Sequence, residues 1–277
     1  MTEPLPIGVN LRSVGVDFAW WLDSSRRLEA AGYEAVYCWD HFVSRGDRTS
    51  PFLESWTTLT AVAAQTERIV LGTFVANVMN RHPAVLARMA ATFQEVSRGR
   101  LRLGIGIGGH PAEHRAYGIP FPATAERAAR LAEAVAVLRA LWSGGPVTLP
   151  GQFYPLEEAY AFPRPDPAPR IVIGGETAGG ARLAARIGDG WTTSGDRFAR
   201  DEPIYREALD EAGRRRARQL VLVAFELPRD ALLADSAWSR EPRAELERWR
   251  ALGADGAIVT ARTTADVDAL VEAVGRW

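Results

Sequence analysis

The sequence contains no lysine: all 33 basic residues among its 277 are arginine. That absence excludes Schiff-base and lysine-nucleophile mechanisms, and it points to a genome of high GC content. Cysteine is almost missing as well. Cys38 alone excludes an internal disulfide, and its apolar neighbours suit an inert buried thiol better than a nucleophile. No apolar run approaches the ~20 residues of a membrane span, and Met1-Thr2-Glu3-Pro4 lacks the basic start of a secretion signal, so the expectation is a cytoplasmic protein. The formal net charge of -1 leaves no basic field to hold nucleic acid or an anionic membrane. The four histidines form neither a His-x-His pair nor a His-Glu-x-x-His motif, so no metal is expected. His110 and His114 would share a face only if their loop were helical.

What the chain does have is one pattern repeated: an apolar run, a polar cluster at its end, then an amphipathic helix. Leu101 to His110 (LRLGIGIGGH) shows it most sharply, as a buried strand that dissolves into four glycines and then polar residues. Leu5 to Leu11 reads as the first strand, Phe18 to Ala31 as its helix stopped by Gly32, and Glu34 to Trp39 as the second strand. Connections that short demand a parallel crossover. Glu54 to Thr66 is the next helix, Ile69 to Val75 the third strand, and Pro83 opens a helix to about Ser97. Thr124 to Trp142 is a long helix, followed by a proline-rich insertion with a small hairpin of Val147-Thr148 against Phe153-Tyr154. Arg170 to Ile173, Gly190 to Thr193, Leu220 to Leu227 and Gly256 to Thr260 supply strands five to eight, with helices Ala178 to Ile187, Pro203 to Arg216, Pro242 to Leu252 and Thr264 to Val274. Eight units in this length imply an α/β fold, a (β/α)8 TIM barrel over residues 1–277 as a single domain, with a small insertion between the fourth helix and fifth strand.

In such a barrel the reacting groups stand at the C-terminal strand ends, which here offers Asn10, Asp40, His41, Asn77, His82, His110, Glu113, His114, Glu176, Thr177 and Glu226. Asp40-His41 joins a carboxylate to an imidazole, a usable acid–base pair; the alternative is a capping Asp beside a hydrogen-bonded His. Gly104, Gly106 and Gly109 satisfy G-x-G-x-x-G, yet they sit in the fourth strand and open no helix directly, so the dinucleotide reading fails on context. Glycines at a strand end instead let something flat lie against the backbone. Gly174-Gly175-Glu176-Thr177 before a helix reads either as an anion cradle or as a plain turn and cap.

Several segments in order carry a resemblance: Gly32 to His41 (GYEAVYCWDH), Leu71 to Val75 (LGTFV) with Arg81-His82-Pro83, Leu103 to Gly109, Tyr117 to Phe121 (YGIPF), Ile173-Gly174-Gly175 and Asp189-Gly190-Trp191. Together they resemble the bacterial luciferase-like family, and more narrowly its oxidoreductases that use the deazaflavin coenzyme F420. The resemblance implies hydride transfer between bound F420 and a small organic substrate, with an FMN-dependent monooxygenase as the alternative, and commonly a homodimer. It implies a non-proline cis peptide at Phe74-Val75 backing the ring, Asp40 on a polar ring edge, Asn77 with Gly108 and Gly109 on the ring and side chain, and Gly174, Gly175, Glu176 and Thr177 on the phosphate. His41 would trade the substrate proton. Some sugar-oxidising relatives carry an acid where Gly109 stands, so that acid is either missing here or supplied by Glu113, and a sugar phosphate fits poorly.

Overall fold

In the computed structural model, which describes residues 4–277, the strands are β1 (Leu5–Leu11), β2 (Tyr33–Cys38), β3 (Val70–Asn77), β4 (Leu101–Gly106), β5 (Val147–Leu149), β6 (Leu156–Ala159), β7 (Arg170–Gly174), β8 (Gly190–Ser194), β9 (Leu220–Phe225) and β10 (Gly256–Ala261). All but β5 and β6 close into one parallel barrel in the order β1-β10-β9-β8-β7-β4-β3-β2. The helices are α1 (Phe18–Ala31), α2 (Ser55–Ala63), α3 (Pro83–Ser97), α4 (Pro111–Ala116), α5 (Thr124–Leu141), α6 (Ala178–Ile187), α7 (Gly195–Glu211), α8 (Ala237–Arg240), α9 (Pro242–Ala251) and α10 (Thr264–Ala273). No helix among the described residues is long and apolar enough to cross a membrane.

Local chemistry sets the boundaries. Asp17 caps α1 by accepting from the Trp20 amide at 2.8 Å, and Gly32 ends it in the left-handed region at φ 91°. Thr263 and Asp266 form a reciprocal capping box on α10. Two expectations need correction. The ribbon beside the barrel pairs β5 with β6, not with Phe153-Tyr154, because the Glu133 carboxylate claims the amides of Phe153 and Tyr154 and holds both in the connecting turn. Helix α7 starts at Gly195 and carries Pro203 inside it rather than at its start. Phe198 and Tyr205 both stack on the buried indole of Trp191, and that packing extends the helix across the proline.

Toward the N-terminal end of the barrel, Tyr37 fills the interior between Gly8 and Gly72, where an added Cβ would lie 2.4 Å and 2.9 Å from its ring. Arg102 donates to the Tyr37 hydroxyl at 2.6 Å and to Glu34 at 2.5 Å. Burial alone would lower the Arg102 pKa, but Tyr37 and Glu34 outweigh it and hold the guanidinium charged. Replacing Arg102 with Met should cost about 2–3 kcal/mol in chemical denaturation, since it leaves Glu34 half-buried and unpaired. An unchanged unfolding midpoint would show that the interior charge adds nothing.

Candidate functional site

The site begins with a break in the register of β3. Pairing with β4 shifts between Thr73 and Ala76, and the Phe74-Val75 peptide at this break is cis. The bulge drives the Val75 side chain toward β4 and β7. A Cβ added at Gly104, Gly106 or Gly174 would come within 3.1, 2.9 and 2.9 Å of the Val75 methyls. The glycine strand, expected to let a ligand lie against its backbone, first of all makes room for Val75.

Asp40 fixes the end of the same strand. Its buried carboxylate accepts from the Asn77 amide (2.9 Å), Ser55 Oγ (2.9 Å), Asn80 Nδ2 (3.2 Å) and Arg81 Nη1 (2.8 and 2.9 Å). Arg81 continues to Glu54, the cap of α2. Burial would lower the Arg81 pKa, but Asp40 and Glu54 together raise it. The Asn77 carboxamide is engaged as well: Oδ1 accepts from the Met79 amide and Nδ2 lies 2.6 Å from His114 Nε2. Gly108, in the left-handed region at φ 76°, packs so closely on Asn77 that a Cβ would meet Oδ1 at 2.5 Å.

The loop after Gly109 contains the short helix α4, which sequence reasoning left open. One helical turn aims Glu113 and His114 inward, each 1% exposed. Glu113 was expected to face the substrate as an acid; it lies instead behind His41. Its Oε2 is 2.9 Å from His41 Nδ1, and its Oε1 accepts from the amides of Phe42 (2.6 Å) and Val43 (3.2 Å). Burial alone would raise this carboxyl, but the bonds from His41 and the two amides outweigh it and hold its pKa below the ordinary carboxylate range. His110 stands edge-on to His41 at 5.9 Å, and burial, with Arg45 second, lowers its pKa.

A cavity of about 620 Å³ opens at the C-terminal strand ends. Its walls include Asp40, His41, Phe74, Val75, Asn77, Gly108 and Gly109 on one side, and Gly174, Gly175, Glu176 and Thr177 on the other. Glu113 takes no part in the wall. Thr177 caps α6, accepting from the Gly180 amide at 3.1 Å, and Trp191 Nε1 pins the Gly175 carbonyl at 2.9 Å. Gly175 touches Gly180 across this turn, where a Cβ would come within 2.9 Å of backbone, while Gly179 has its nearest neighbour, the Thr177 hydroxyl, at 3.9 Å. Glu176 is exposed. Among the other candidates Glu226 also lines the cavity, whereas Asn10 is buried in the barrel against Thr260, and His82 caps α3 and meets Tyr154. Sequence reasoning missed Trp39, Arg45 and the run Thr192-Thr193-Ser194; the polar end of an otherwise apolar strand was the available signal for the last three.

Residues 8–230 match the luciferase-like monooxygenase family. The F420-dependent glucose-6-phosphate dehydrogenase of Beutenbergia cavernae is 36% identical over 185 residues, 65% of this chain and 53% of that protein. The enzyme of the same description from Kineococcus radiotolerans is 36% identical over 220 residues, 76% of this chain and 64% of that one. The chain thus spans between about half and two thirds of these curated relatives. An F420-dependent secondary alcohol dehydrogenase, solved with an F420-acetone adduct, superposes with a TM-score of 0.83 at 21% identity over 99% of each chain, which shows a shared fold. With this match over residues 8–230, the chain belongs to the luciferase-like monooxygenase family.

Proposed function

We propose that this protein is an oxidoreductase that transfers hydride between bound coenzyme F420 and a small organic substrate carrying an alcohol or its carbonyl. One observation carries the reading: a single cavity joins an imidazole backed by a buried carboxylate to the amino end of a capped helix. The residues present fit a flat ring with a phosphorylated tail. The Phe74-Val75 bulge and Gly109, whose Cβ position has no neighbour within 4 Å, leave a surface for the ring. The unpaired amides at the start of α6 and the Thr177 hydroxyl, with Gly179 open beside them, suit the phosphate. The relatives named for F420 support this coenzyme over FMN, the alternative that the family name alone supports. When bound, F420 supplies a two-electron carrier that accepts or releases hydride at a ring carbon.

His41 holds or takes the proton that accompanies the hydride. Glu113, anchored by two amides, fixes the imidazole with Nδ1 toward itself, which leaves Nε2 for the substrate oxygen. Glu113 is therefore a positioning residue. Asp40 and Asn77 serve by holding the bulge, since their polar atoms are already engaged within the protein. Fluorescence titration with F420 and with FMN, followed by alcohol turnover, tests the reading; tighter binding of FMN with oxygen-dependent turnover would replace it by the monooxygenase.

His41→Ala should bind F420 within about threefold of the parent and lose ~10²–10⁴ in turnover. Glu113→Gln should lose about 10–100-fold in kcat and have no further effect in a His41→Ala background, because it acts only through that ring. Additive losses in the double variant would remove the positioning role. Gly179→Asp puts a carboxylate into the cradle without a steric clash and should weaken F420 binding at least about tenfold while leaving the melting temperature in place. Gly175 is unsuited to this test, since any Cβ there strikes the Gly180 backbone. Unaltered F420 affinity in Gly179→Asp would place the phosphate elsewhere.

A further inference from the structure

We propose that His41, His110 and Glu113 form a three-ligand site for a divalent cation, zinc above all, whose occupation switches the enzyme off. The ligand atoms lie within 4.8 Å of one another. Glu113 Oε2 is 2.9 Å from His41 Nδ1 and 3.9 Å from His110 Nδ1. Ligands that share a tetrahedral zinc at about 2.1 Å stand about 3.4 Å apart, so small side-chain shifts complete the triangle. Two imidazole nitrogens and one carboxylate oxygen match zinc's ligand preferences.

Two further features point to a ligand. His110 Nδ1 is buried with no hydrogen-bond partner among the described residues, a condition that buried polar atoms seldom tolerate. Glu113 is already oriented by the Phe42 and Val43 amides on its other oxygen, the kind of outer support that metal-ligating carboxylates receive. The site needs α4: Glu113 and His110 come together because His110 immediately precedes that helix and Glu113 lies in its first turn. No sequence motif marks it, since His41 comes from the segment after β2, two strands away in the barrel and 69 positions before His110 in the chain.

The chemistry of inhibition follows from the ring. The cation takes His41 Nδ1, and the single proton that the neutral ring held there, toward Glu113 Oε2, is exchanged through solvent to Nε2. With Nδ1 metallated, the neutral imidazole carries its one proton on Nε2. The nitrogen left for the substrate can then no longer accept one. This consequence rests on the reading of His41 as the proton-handling group; the binding itself does not.

The test uses the whole protein without coenzyme and zinc chloride alone as the probe, by calorimetry. One zinc per chain is expected, with affinity at least about tenfold weaker in His110→Ala and in His110→Phe, the second of which keeps a ring against His41. Failure of the parent to bind one equivalent, or equal affinity in parent and both variants, overturns the site. In the loaded enzyme, zinc should abolish parental turnover reversibly on chelation, while His110→Ala turns over like the metal-free parent and resists zinc. Equal inhibition of His110→Ala overturns the switch. Stoichiometric, His110-dependent binding without any inhibition upholds the metal site and overturns the role given to His41 instead.

Discussion

The mouth of the barrel depends on one buried carboxylate. Asp40 accepts from four different groups, so the charge is compensated where an unmatched one would cost several kcal/mol. Its partners are what matter. The Asn77 amide belongs to the end of β3, Ser55 to the start of α2, and Asn80 and Arg81 to the segment that leads into α3. A single side chain at the end of β2 therefore ties together the pieces that flank the bulge. The arrangement of Val75, Asn77 and Gly108 follows from it, because each is positioned from the strand end that Asp40 holds.

This changes how a conspicuous motif is understood. An Asp-His pair at a strand end suggests two groups sharing one reaction, yet adjacent residues point apart, and here they serve different networks. Asp40 has its carboxylate engaged by protein partners and builds the platform; His41, beside it in the cavity wall, is steadied by Glu113 from the loop after β4. Glu113 in turn has its two oxygens divided, one on backbone amides and one on the imidazole. A carboxylate so placed has no lone pair directed at a substrate, which is why the acid expected beside the glycine strand is absent from the cavity wall.

Much of the barrel was legible because buried parallel strands leave short apolar runs, and because Gly32, Pro83 and Thr177 mark helix ends by local chemistry that tertiary context does not override. What escaped was decided elsewhere in the molecule. Helix α7 runs through Pro203 because Trp191 rewards both Phe198 and Tyr205, a contact invisible in the periodicity. The hairpin slips because Glu133 on α5 captures the turn amides. The grouping of His41, His110 and Glu113 was hidden by a six-residue helix too short to show a period.

The glycines show most plainly how one residue type can be read correctly in kind and wrongly in object. Four glycines in the Leu101–His110 stretch do signal close approach. For Gly104 the approaching groups are the Thr73 carbonyl oxygen and then a Val75 methyl, for Gly106 it is a Val75 methyl, and Gly174 on the adjoining β7 meets the same methyls. Val75 can occupy that space only because two strands, β4 and β7, forgo side chains there. Gly109 differs, with nothing near its Cβ position, so its openness faces the cavity and not the core. The glycine strand thus divides its work along its length: the first part shapes the platform from below, and the last part leaves the space above it free for a ligand.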